Sequence, residues 1–431
     1  MNKIAFTTLG CKVNLYDSEA MAELFAERGY EIVDFEDVAD VYIINTCTVT
    51  NFGDKKSRQM IRRAKRRNEN AIIVATGCYA QVSAEVVAGI EGINIVIGTK
   101  ERSKIVDIVE QYKEESGILN VVSDIKEETE FERLKVSNLK DRTRAYIKIQ
   151  EGCNRYCSYC IIPYARGPVR SRQVEDVLDE VKSLAQNGFK EIVLTGIHVA
   201  SYGVDLGGIT LADIIEKVHQ IDGIERIRFS SVEPRVITDE FIERMKKLPK
   251  VCEHYHLSLQ SGSDETLKKM NRRYTSKEYF EACQKLREAF EDVAITTDII
   301  VGFPTESEEN FKESYDFAKE VKLSQIHVFP YSPKEGTVAA KIRPQVEPEV
   351  KNERSQKMLE LAEKLNREFR EKYLNKDVDV LFEREENGFY EGHTRNYIKV
   401  LCKAEKDLTN QIVKVKLTKV NDDDTMTGVI E

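Results

Sequence analysis

Three cysteines in one short stretch are the residues in this sequence best placed to do chemistry. Cys153, Cys157 and Cys160 stand in a C-x3-C-x2-C spacing, here called the cysteine triplet. Three thiolates in one tight loop suit a soft metal ion or an iron–sulfur cluster. A structural zinc ion usually takes four protein ligands, and no fourth cysteine or histidine lies nearby in the sequence. A cluster with one open iron is therefore favoured over a zinc knuckle or a chance triplet.

Three further cysteines are spread through the N-terminal part of the chain. Cys11, Cys47 and Cys78, here called the strand-end cysteines, each follow a short apolar run typical of a buried parallel strand. Successive members are about one β-α-β unit apart. Because the carboxyl ends of parallel strands share one edge of a sheet, these cysteines are predicted to converge into a second site. The alternative is three separate core cysteines; their places beside Gly or Thr at equivalent strand ends favour convergence.

The elements that position the strand-end cysteines are predicted to form a parallel α/β domain over residues 1–115. Short apolar runs alternate here with amphipathic helix patterns. Asp17 or Ser18 is expected to cap the first helix. Residues 116–143 are charged and weakly periodic, which predicts a linker. The predicted strands cover residues 4–9, 41–45, 71–75 and 93–97, with one more inside the linker at 118–122.

Residues 144–346 carry six strand–helix repeats, and the cysteine triplet follows the first of these strands. Six such units predict an open, partial (β/α)6 barrel, with reactive residues at the carboxyl ends of its strands. The predicted strands cover residues 145–150, 191–195, 226–230, 254–260, 294–301 and 326–331. The predicted helices cover residues 174–186, 211–219, 238–247, 276–290 and 307–321.

The C-terminal part combines one long charged helix with several short strands. Residues 347–375 are predicted to form a connecting helix. Residues 376–431 show five short strands separated by turn residues, a pattern typical of a small antiparallel β-barrel. Barrels of this kind often bind nothing, so the shape alone assigns no function. The remaining cysteines are interpreted as core residues: Cys252, Cys283 and Cys402.

Three motif sets resemble one family, the methylthiotransferases of the radical S-adenosylmethionine superfamily. The first is the cysteine triplet with its flanks Gln150-Glu151-Gly152, Arg166-Gly167 and Ser171-Arg172. The second is the Gly-Cys, Asn-Thr-Cys and Gly-Cys contexts of the strand-end cysteines, which resemble the family's N-terminal domain. The third is segment 391–397, which resembles the TRAM domain, a small RNA-binding barrel.

The resemblance implies two [4Fe–4S] clusters, one on each cysteine set, with S-adenosylmethionine bound at the open iron of the triplet cluster. It also implies two S-adenosylmethionine molecules per turnover, one giving a methyl group to sulfur and the other a 5′-deoxyadenosyl radical. The cluster on the strand-end cysteines would hold the sulfur. Homolytic cleavage of an unactivated C–H bond is beyond amino-acid acids and bases, so cofactors must carry it.

The strand ends of the central barrel are expected to bind this cofactor. Glu233 or Gln260 would bind ribose hydroxyls and the amino group, and Ile300–Gly302 resembles the superfamily's adenine-binding strand. Taken singly, each polar residue here is equally compatible with a turn. His198 is interpreted as a hydrogen-bonding wall of the pocket rather than a catalytic group. The full set of expected cofactor-binding residues is Thr195, Gly196, Glu233, Gln260, Ser261, Ile300 and Gly302.

The segment 8–19 around Cys11 resembles the family branch that acts on N6-threonylcarbamoyladenosine (t6A) at position 37 beside the anticodon of tRNA. The branches for N6-isopentenyladenosine in tRNA and for an aspartate of a ribosomal protein share the architecture and stay open, as does a non-catalytic iron–sulfur RNA-binding regulator. The implied partners are the tRNA anticodon region, a sulfur donor and a reducing electron donor such as flavodoxin or ferredoxin.

Charge and hydropathy limit how such a partner could bind. The net charge of the 431 residues is −9, so RNA contact must use local patches. Residues 55–67 carry eight lysines and arginines and no acid, which indicates either a phosphate-binding ridge or a solvated helix face. No leader and no apolar run of membrane-spanning length is found, so a cytoplasmic protein without membrane contact is expected.

Overall fold

A computed structural model describes residues 3–113, 115, 117–136 and 143–430. It shows an N-terminal α/β sheet, a central open barrel and a C-terminal small barrel, which confirms the predicted fold class. Below, the upper end of the central barrel means the carboxyl ends of its strands, and the lower end means their amino ends. Within the described part of the chain, no helix combines the length and apolar character needed to cross a membrane.

The N-terminal sheet has six parallel strands in the order β2-β1-β3-β4-β5-β6. The edge strand β2 was not predicted, because its exposed residues lack an apolar run. The last strand lies beyond residue 115, so the sheet reaches into the predicted linker. The strands are β1 Lys3–Thr8, β2 Glu31–Val33, β3 Val41–Thr46, β4 Ile72–Gly77, β5 Ile95–Val96 and β6 Leu119–Asn120. The helices are α1 Lys12–Glu27, α2 Asn51–Arg67, α3 Cys78–Val82, α4 Ala84–Ala88 and α5 Ile105–Gln111.

The central barrel has six parallel strands that follow one another in chain order. Two ladders, β7-β9-β10 and β11-β12-β13, are joined by the bridges Ile227 to Val251 and Val232 to Leu257. Among the described residues no ladder joins β13 to β7, so the barrel is open. Its strands are β7 Arg144–Glu151, β9 Glu191–Gly196, β10 Arg226–Phe229, β11 His254–His256, β12 Ala294–Val301 and β13 Gln325–Pro330, with a short antiparallel strand β8 Arg170–Ser171 beside β7.

Helices cover the outside of this barrel, and the side chains between them and the strands form the largest apolar core. Capping boxes at Thr210, Thr275 and Ser307 fix the starts of three of these helices. The helices are α6 Ile162–Arg166, α7 Val174–Gln186, α8 Leu211–His219, α9 Asp239–Met245, α10 Asp264–Lys269, α11 Ser276–Ala289 and α12 Glu308–Val321.

Helix α13, Pro348–Glu371, leads into a closed five-stranded barrel of order β14-β15-β16-β18-β17. Four of its five strand pairings are antiparallel, but β16 and β18 pair in parallel, so the predicted all-antiparallel barrel needs this correction. Cys402 lies in its core, as predicted. The strands are β14 Asp377–Glu386, β15 Phe389–Thr394, β16 Lys399–Cys402, β17 Ile412–Val420 and β18 Thr425–Ile430.

The C-terminal barrel closes the lower end of the central barrel through an aromatic plug. Tyr397 stacks on His254 with ring centroids 4.7 Å apart and an interplanar angle of 6°. The guanidinium carbons of Arg144 and Arg228 lie 5.2 and 5.0 Å from the Tyr397 ring centroid. Arg144 also donates to the Tyr397 hydroxyl at 3.0 Å. Cation–π contacts and stacking therefore join two domains at a water-poor surface.

Glu191, at the first position of β9, is the buried carboxylate that pairs with the arginines of this surface. Its Oε1 lies 2.6 Å from Nε of Arg144 and 2.8 Å from Nε of Arg228. Arg228 donates onward to the carbonyl oxygens of Thr394 and Arg395 in the C-terminal barrel. Burial alone would raise the pKa of Glu191, but the charges of the surrounding arginines hold that pKa at about 2.

We expect the substitution Glu191→Gln to destabilise the protein by about 3–5 kcal/mol, because it removes the carboxylate that pairs with the buried Arg228 and leaves Arg144 with Glu383 alone. Differential scanning calorimetry of the anaerobic protein measures this loss. Glu225→Gln is the matched control, since that carboxylate pairs with Lys190 at the surface and its loss should cost less than about 1 kcal/mol. Equal effects of the two substitutions would contradict this account of the interface.

Candidate functional site

The strand-end cysteines follow three neighbouring strands and are brought together at one edge of the N-terminal sheet. Cys47 and Cys78 come directly after Thr46 and Gly77, which are partners in the ladder between β3 and β4. Asn14 joins the Cys11 loop to the next one, since its Nδ2 donates to the carbonyl oxygens of Leu9 at 2.7 Å and Thr46 at 3.0 Å. These bonds hold the Cys11 and Cys47 loops together.

Close packing around Cys47 explains the glycine before Cys11. Gly10 has a φ of +103°, and a Cβ at that position would lie 2.9 Å from Sγ of Cys47. Burial is the largest cause that raises the pKa of Cys47, to about 11, and the nearby thiols of Cys78 and Cys11 raise it further. Burial likewise raises the pKa of Cys78. The thiols of Cys47 and Cys78 are therefore desolvated, and the exposed Cys11 lies close enough to affect the pKa values of both.

The cysteine triplet is brought together in the loop above β7. The amide of Cys160 donates to the carbonyl oxygen of Cys157 at 2.9 Å, which closes the loop. Burial raises the pKa of Cys160 to about 12 and also raises that of Cys153, and in both cases a neighbouring thiol of the triplet adds to the shift. Thiols held protonated in this way lose their protons when a metal binds, because the thiolate is the ligand.

The spacing of the sulfurs tests which metal group fits. A tetrahedral zinc ion with Zn–S bonds of about 2.3 Å holds its sulfurs about 3.8 Å apart. In the described part of the chain, one group of potential ligands has all its atoms within 4.8 Å, and it is His256, Asp298 and His327. Neither cysteine set is that compact. This wider spacing is compatible with thiolate ligation of an iron–sulfur cluster.

Two buried arginines donate to the cysteine sulfurs. Arg166 lies at the end of α6, just beyond the triplet, and its Nε donates to Sγ of Cys78 at 3.2 Å. Arg272 follows α10, and its Nη1 donates to Sγ of Cys157 at 3.2 Å. Hydrogen bonds to ligand sulfurs tune the reduction potential of a cluster. Through Arg166, the helix that follows the triplet contacts a cysteine of the other set.

A buried ion network holds the N-terminal domain against the central barrel at this point. Lys148 lies 2.5 Å from Asp17 and 3.3 Å from Glu151. Arg166 lies 2.9 Å from Asp17, Arg102 lies 3.2 Å from Glu151, and both arginines pair with the other carboxylate as well. Burial alone would raise the pKa of Glu151, but these cations hold it well below its usual range.

The expectation that Asp17 or Ser18 caps α1 is wrong. The helix begins at Lys12 with Cys11 at the N-cap position, and Asp17 lies inside the helix as a member of the ion network. Ser18 accepts from the Thr8 hydroxyl at 2.7 Å. An acid near a helix start matches the sequence pattern of an N-cap. The actual partners of Asp17 come from distant segments of the chain, so the local pattern does not reveal them.

Most of the expected cofactor residues lie on or just beyond β9, β11 and β12, at the upper end of the barrel. The hydroxyl groups of Thr195 and Ser230 are 2.8 Å apart. A Cβ on Gly196 would lie 2.9 Å from the carbonyl oxygen of Gln150, so this position has no room for a side chain. Gln260 adopts a φ of +68°, and its carbonyl oxygen accepts from the Ile300 amide at 2.9 Å.

Glu233 lies between the upper rim and the cysteine triplet. Its carboxylate is 3.1 Å from Arg155, 3.4 Å from Arg272 and 3.6 Å from Nε2 of His198. Burial alone would raise the pKa of Glu233, but the nearby His198 imidazole and the charges of the two arginines hold it at about 2. His198 is anchored by Ser201, whose Oγ lies 2.7 Å from Nδ1, and it forms a wall of the site.

Ser261 and Gly302 shape the backbone of the rim. The Ser261 hydroxyl accepts from the amide of Ser263 at 3.2 Å. Gly302 has a φ of +69°, and a Cβ there would lie 2.4 Å from Cγ of Lys351. The Gly302 amide donates to Glu306 at 2.8 Å. Both residues therefore position neighbouring groups, with most of their own polar atoms engaged within the chain.

The sequence analysis did not identify Arg272 or the group of His256, Asp298 and His327. Arg272 lies in a run of ordinary charged residues, and no local pattern distinguishes it. The group of His256, Asp298 and His327 could have been noticed in the sequence, since two histidines and an aspartate occur on strands predicted to be buried. Cys252 and Cys283 are buried as predicted.

Comparison with known proteins gives matches over nearly the whole chain. Residues 147–318 match the radical SAM superfamily, and residues 3–98 match uncharacterized protein family UPF0004. The chain is 47% identical to the threonylcarbamoyladenosine tRNA methylthiotransferase MtaB of Bacillus subtilis (strain 168), over 97% of this chain and 94% of that protein. It is 43% identical to the protein of the same name from Aquifex aeolicus (strain VF5), over 96% of this chain and 99% of the relative.

Other relatives are more distant. A tRNA-2-methylthio-N(6)-dimethylallyladenosine synthase of Acetivibrio thermocellus is 38% identical over 96% of this chain and 88% of that protein. Among solved structures, the radical S-adenosylmethionine methyltransferase TsrM of Kitasatospora setae superposes with a TM-score of 0.57 at 15% identity, covering 78% of this chain and 75% of that one. This structural likeness concerns the fold alone.

We expect anaerobic reconstitution to load about eight irons per chain, as two four-iron clusters. Replacing Cys11, Cys47 and Cys78 together with Ala should remove half of this iron, because it removes the ligands of one site and leaves the triplet intact. Iron analysis and the visible absorption of the clusters measure the loss. The matched control replaces the core cysteines Cys252, Cys283 and Cys402 with Ala, and should keep all the iron. Full iron in the first variant would contradict the convergence of the strand-end cysteines.

Proposed function

This chain belongs to the radical S-adenosylmethionine tRNA methylthiotransferases, and we propose that it attaches a methylthio group to C2 of t6A at position 37 of tRNA. The observation that supports the proposal is that Arg166, six residues beyond the triplet, donates to a sulfur of the strand-end cysteines. One set alone would serve a radical enzyme without sulfur insertion. Two cysteine sets held in docked domains suit a reaction that removes a hydrogen atom and adds sulfur at the same carbon.

The enzymes of this family use S-adenosylmethionine and two [4Fe–4S] clusters. We propose that Cys153, Cys157 and Cys160 hold one cluster and that Cys11, Cys47 and Cys78 hold the other. When bound, these groups supply the electron for homolytic chemistry and the sulfur to be transferred. A reducing protein such as flavodoxin or ferredoxin and a separate sulfur donor complete the proposed set of partners.

The residues of the chain bind, orient and shield these groups. Arg272 and Glu233 fix the triplet loop against the upper rim, where Thr195, Gln260 and Ile300 would line the cofactor. Arg166 places a fixed positive charge beside Cys78, which stabilises a thiolate there. The plug around Tyr397 closes the lower end of the barrel. A reactive species formed inside is thereby kept from bulk water on that side.

Nucleoside mass spectrometry tests the proposed function. Purified, reconstituted enzyme with S-adenosylmethionine, a reductant and sulfide should convert t6A in tRNA to its 2-methylthio derivative. The Cys153→Ala variant should form no product and no 5′-deoxyadenosine, because the triplet would lose one of its three ligands. Methylthiolation of isopentenyladenosine in place of t6A would assign the chain to the family branch that acts on isopentenyladenosine in tRNA. Absence of any S-adenosylmethionine cleavage by the wild type would contradict the enzyme assignment.

The exposed face of α2 is the proposed tRNA contact. Arg63 and Arg67 of this helix pair with Glu36, and Lys65 donates to the carbonyl oxygen of Glu69. Other cations have no carboxylate within ion-pair distance among the residues that the structure describes, and with Phe52 they line a shallow groove. These cations are Lys55, Lys56, Arg62 and Arg66. Unpaired cations along one face suit phosphates, which position an RNA without specifying its sequence.

The location of α2 supports this contact. The helix begins shortly after Cys47, and Nδ2 of Asn51 donates to the carbonyl oxygen of Pro333 at 3.0 Å, just above the end of β13. The first turns of α2, with Lys55 and Lys56, therefore lie beside the upper rim, where a substrate would enter. Arg62 and Arg66 continue the row of cations, about 16 to 22 Å along the helix from Asn51. We also propose that the C-terminal barrel, which resembles the TRAM domain, contributes a second RNA contact.

Paired substitutions on α2 separate phosphate contact from general helix charge. We expect Arg62→Gln with Arg66→Gln to weaken tRNA binding and to lower the slope of log K against log salt by about 1–2, one per lost phosphate contact. Arg63→Gln with Arg67→Gln is the matched control on the same helix with the same spacing, and should change the slope less, because Glu36 already pairs with those arginines. Fluorescence anisotropy at several salt concentrations measures both. Identical slopes in the two variants would indicate that α2 is a solvated helix face without phosphate contacts.

A further inference from the structure

The inward face of β11, β12 and β13 brings together three side chains of metal-ligating type that belong to neither cysteine set. Asp298 and His327 are direct partners in the ladder between β12 and β13. His256 is the partner of Thr296, two residues before Asp298 on the same face of β12. Ile299, the next residue along β12, lies in the apolar core behind the strands, so the group faces the barrel interior. Ligand atoms of the three side chains all lie within 4.8 Å of one another.

The spacing of these atoms fits a single metal ion. Nε2 of His256 lies 3.3 Å from Oδ2 of Asp298. A tetrahedral ion with bonds of about 2.1 Å holds its ligand atoms about 3.4 Å apart, and two imidazoles bound to it have ring centroids about 5 Å apart. The rings of His256 and His327 have centroids 5.9 Å apart. A shift of about 1 Å by His327, whose side chain is exposed in the barrel interior, therefore completes the set.

Thr296 holds His256 in the orientation that a metal ligand needs. Its Oγ1 lies 2.9 Å from Nδ1 of His256 and 3.3 Å from Nε2 of His254. A hydroxyl group has one proton, so it donates to one of these rings and accepts from the other. With Nδ1–H of His256 donating to Thr296, the lone pair of that ring lies on Nε2, on the side of Asp298. Histidines that bind metals are held in this way through the other ring nitrogen.

The space between His256 and Asp298 favours a cation. Nε2 of His256 is shielded from solvent and makes no hydrogen bond with any residue that the structure describes. Within the same described residues, no lysine or arginine lies within ion-pair distance of Asp298. A lone pair that faces a carboxylate oxygen at 3.3 Å is unfavourable unless a cation lies between them. That cation is either a proton or a metal ion, and a metal ion would also use His327.

We propose that His256, Asp298 and His327 bind one divalent transition-metal ion, and that zinc is the ion best matched to this ligand set. Two imidazoles and one carboxylate are a ligand set of catalytic zinc sites, which keep a further position open for water. The proposal is independent of the RNA substrate, because it concerns side chains of this chain alone.

The site would lie between the cofactor rim and the aromatic plug. Asp298 is two residues below Ile300 at the proposed rim, a distance of about 7 Å along a strand. His254, two residues below His256, stacks on Tyr397 of the plug. A bound ion would therefore form part of the floor beneath the cofactor, with its open position toward the barrel interior.

Zinc binding to the full-length protein tests the site. The clusters are reconstituted first, so that the cysteines are occupied, and equilibrium dialysis against Zn²⁺ with metal analysis should then show about one zinc ion per chain. His256→Ala, Asp298→Ala and His327→Ala should each lower the zinc affinity by at least 10- to 100-fold, the loss typical of removing even an outer partner of a ligand. His219→Ala is the matched control, since this histidine lies on α8 outside the barrel wall, and it should keep wild-type binding.

The Thr296 hydroxyl gives a second test that retains all three ligands. Thr296→Val should weaken zinc binding by about 10- to 100-fold, because His256 loses the acceptor that orients its ring, and Thr296→Ser should keep wild-type affinity. Zinc should also raise the unfolding midpoint of the wild-type protein more than that of His327→Ala, since it binds the folded state.

Two results would overturn the proposal. Wild-type protein that binds no zinc would indicate a proton shared by His256 and Asp298 in place of a metal ion. Equal zinc affinity in the wild type and all three ligand variants would place the ion elsewhere. Iron content measured on the same samples separates the loss of this site from a failure to fold or to assemble the clusters.

Discussion

The buried ion network between α1, β7 and α6 is the interaction on which the site depends. Its carboxylates belong to Asp17 and Glu151, and its cations to Arg102, Lys148 and Arg166, all removed from water. Charges are costly to bury, and they are tolerated only where every partner is in place. Because Asp17 and Arg102 come from the N-terminal domain and the others from the central barrel, the network forms only when the two domains are docked. Docking in turn fixes the distance between the two cysteine sets.

The network also carries more positive than negative charges. Its fully buried members include three cations and two carboxylates, and adding Arg170 and the partly exposed Glu132 keeps the same surplus of one positive charge. The surplus charge faces Cys78 through Arg166. A cluster with three thiolate ligands carries negative charge, so a fixed cation at its edge stabilises the ligated state. The same groups thus align two domains and would offset the negative charge of a cluster bound between them.

The cysteine sites and the main elements could be predicted from the sequence, but contacts between residues far apart in the chain could not. The triplet and the three strand ends were accessible because a parallel sheet places equivalent strand ends at one edge, and the elements of the central barrel follow from apolar periodicity. Asp17 was mistaken for a helix cap because its partners lie far along the chain. Arg272 and the pairing of Asp298 with His327 depend on register between strands and on loop paths, which no local pattern specifies. The parallel pairing of β16 with β18 was missed for the same reason.

The position of the C-terminal barrel has a consequence for the length of RNA that the protein can recognise fully. This barrel covers the lower end of the central barrel through Tyr397, whereas α2 lies beside the upper rim through Asn51. The eight residues of β7 that separate these ends span about 26 Å. An RNA that contacts both surfaces must follow the outside of the catalytic domain over at least this distance. With the two proposed contacts, the physical extent of a folded tRNA would become a criterion of selection alongside the identity of the modified base.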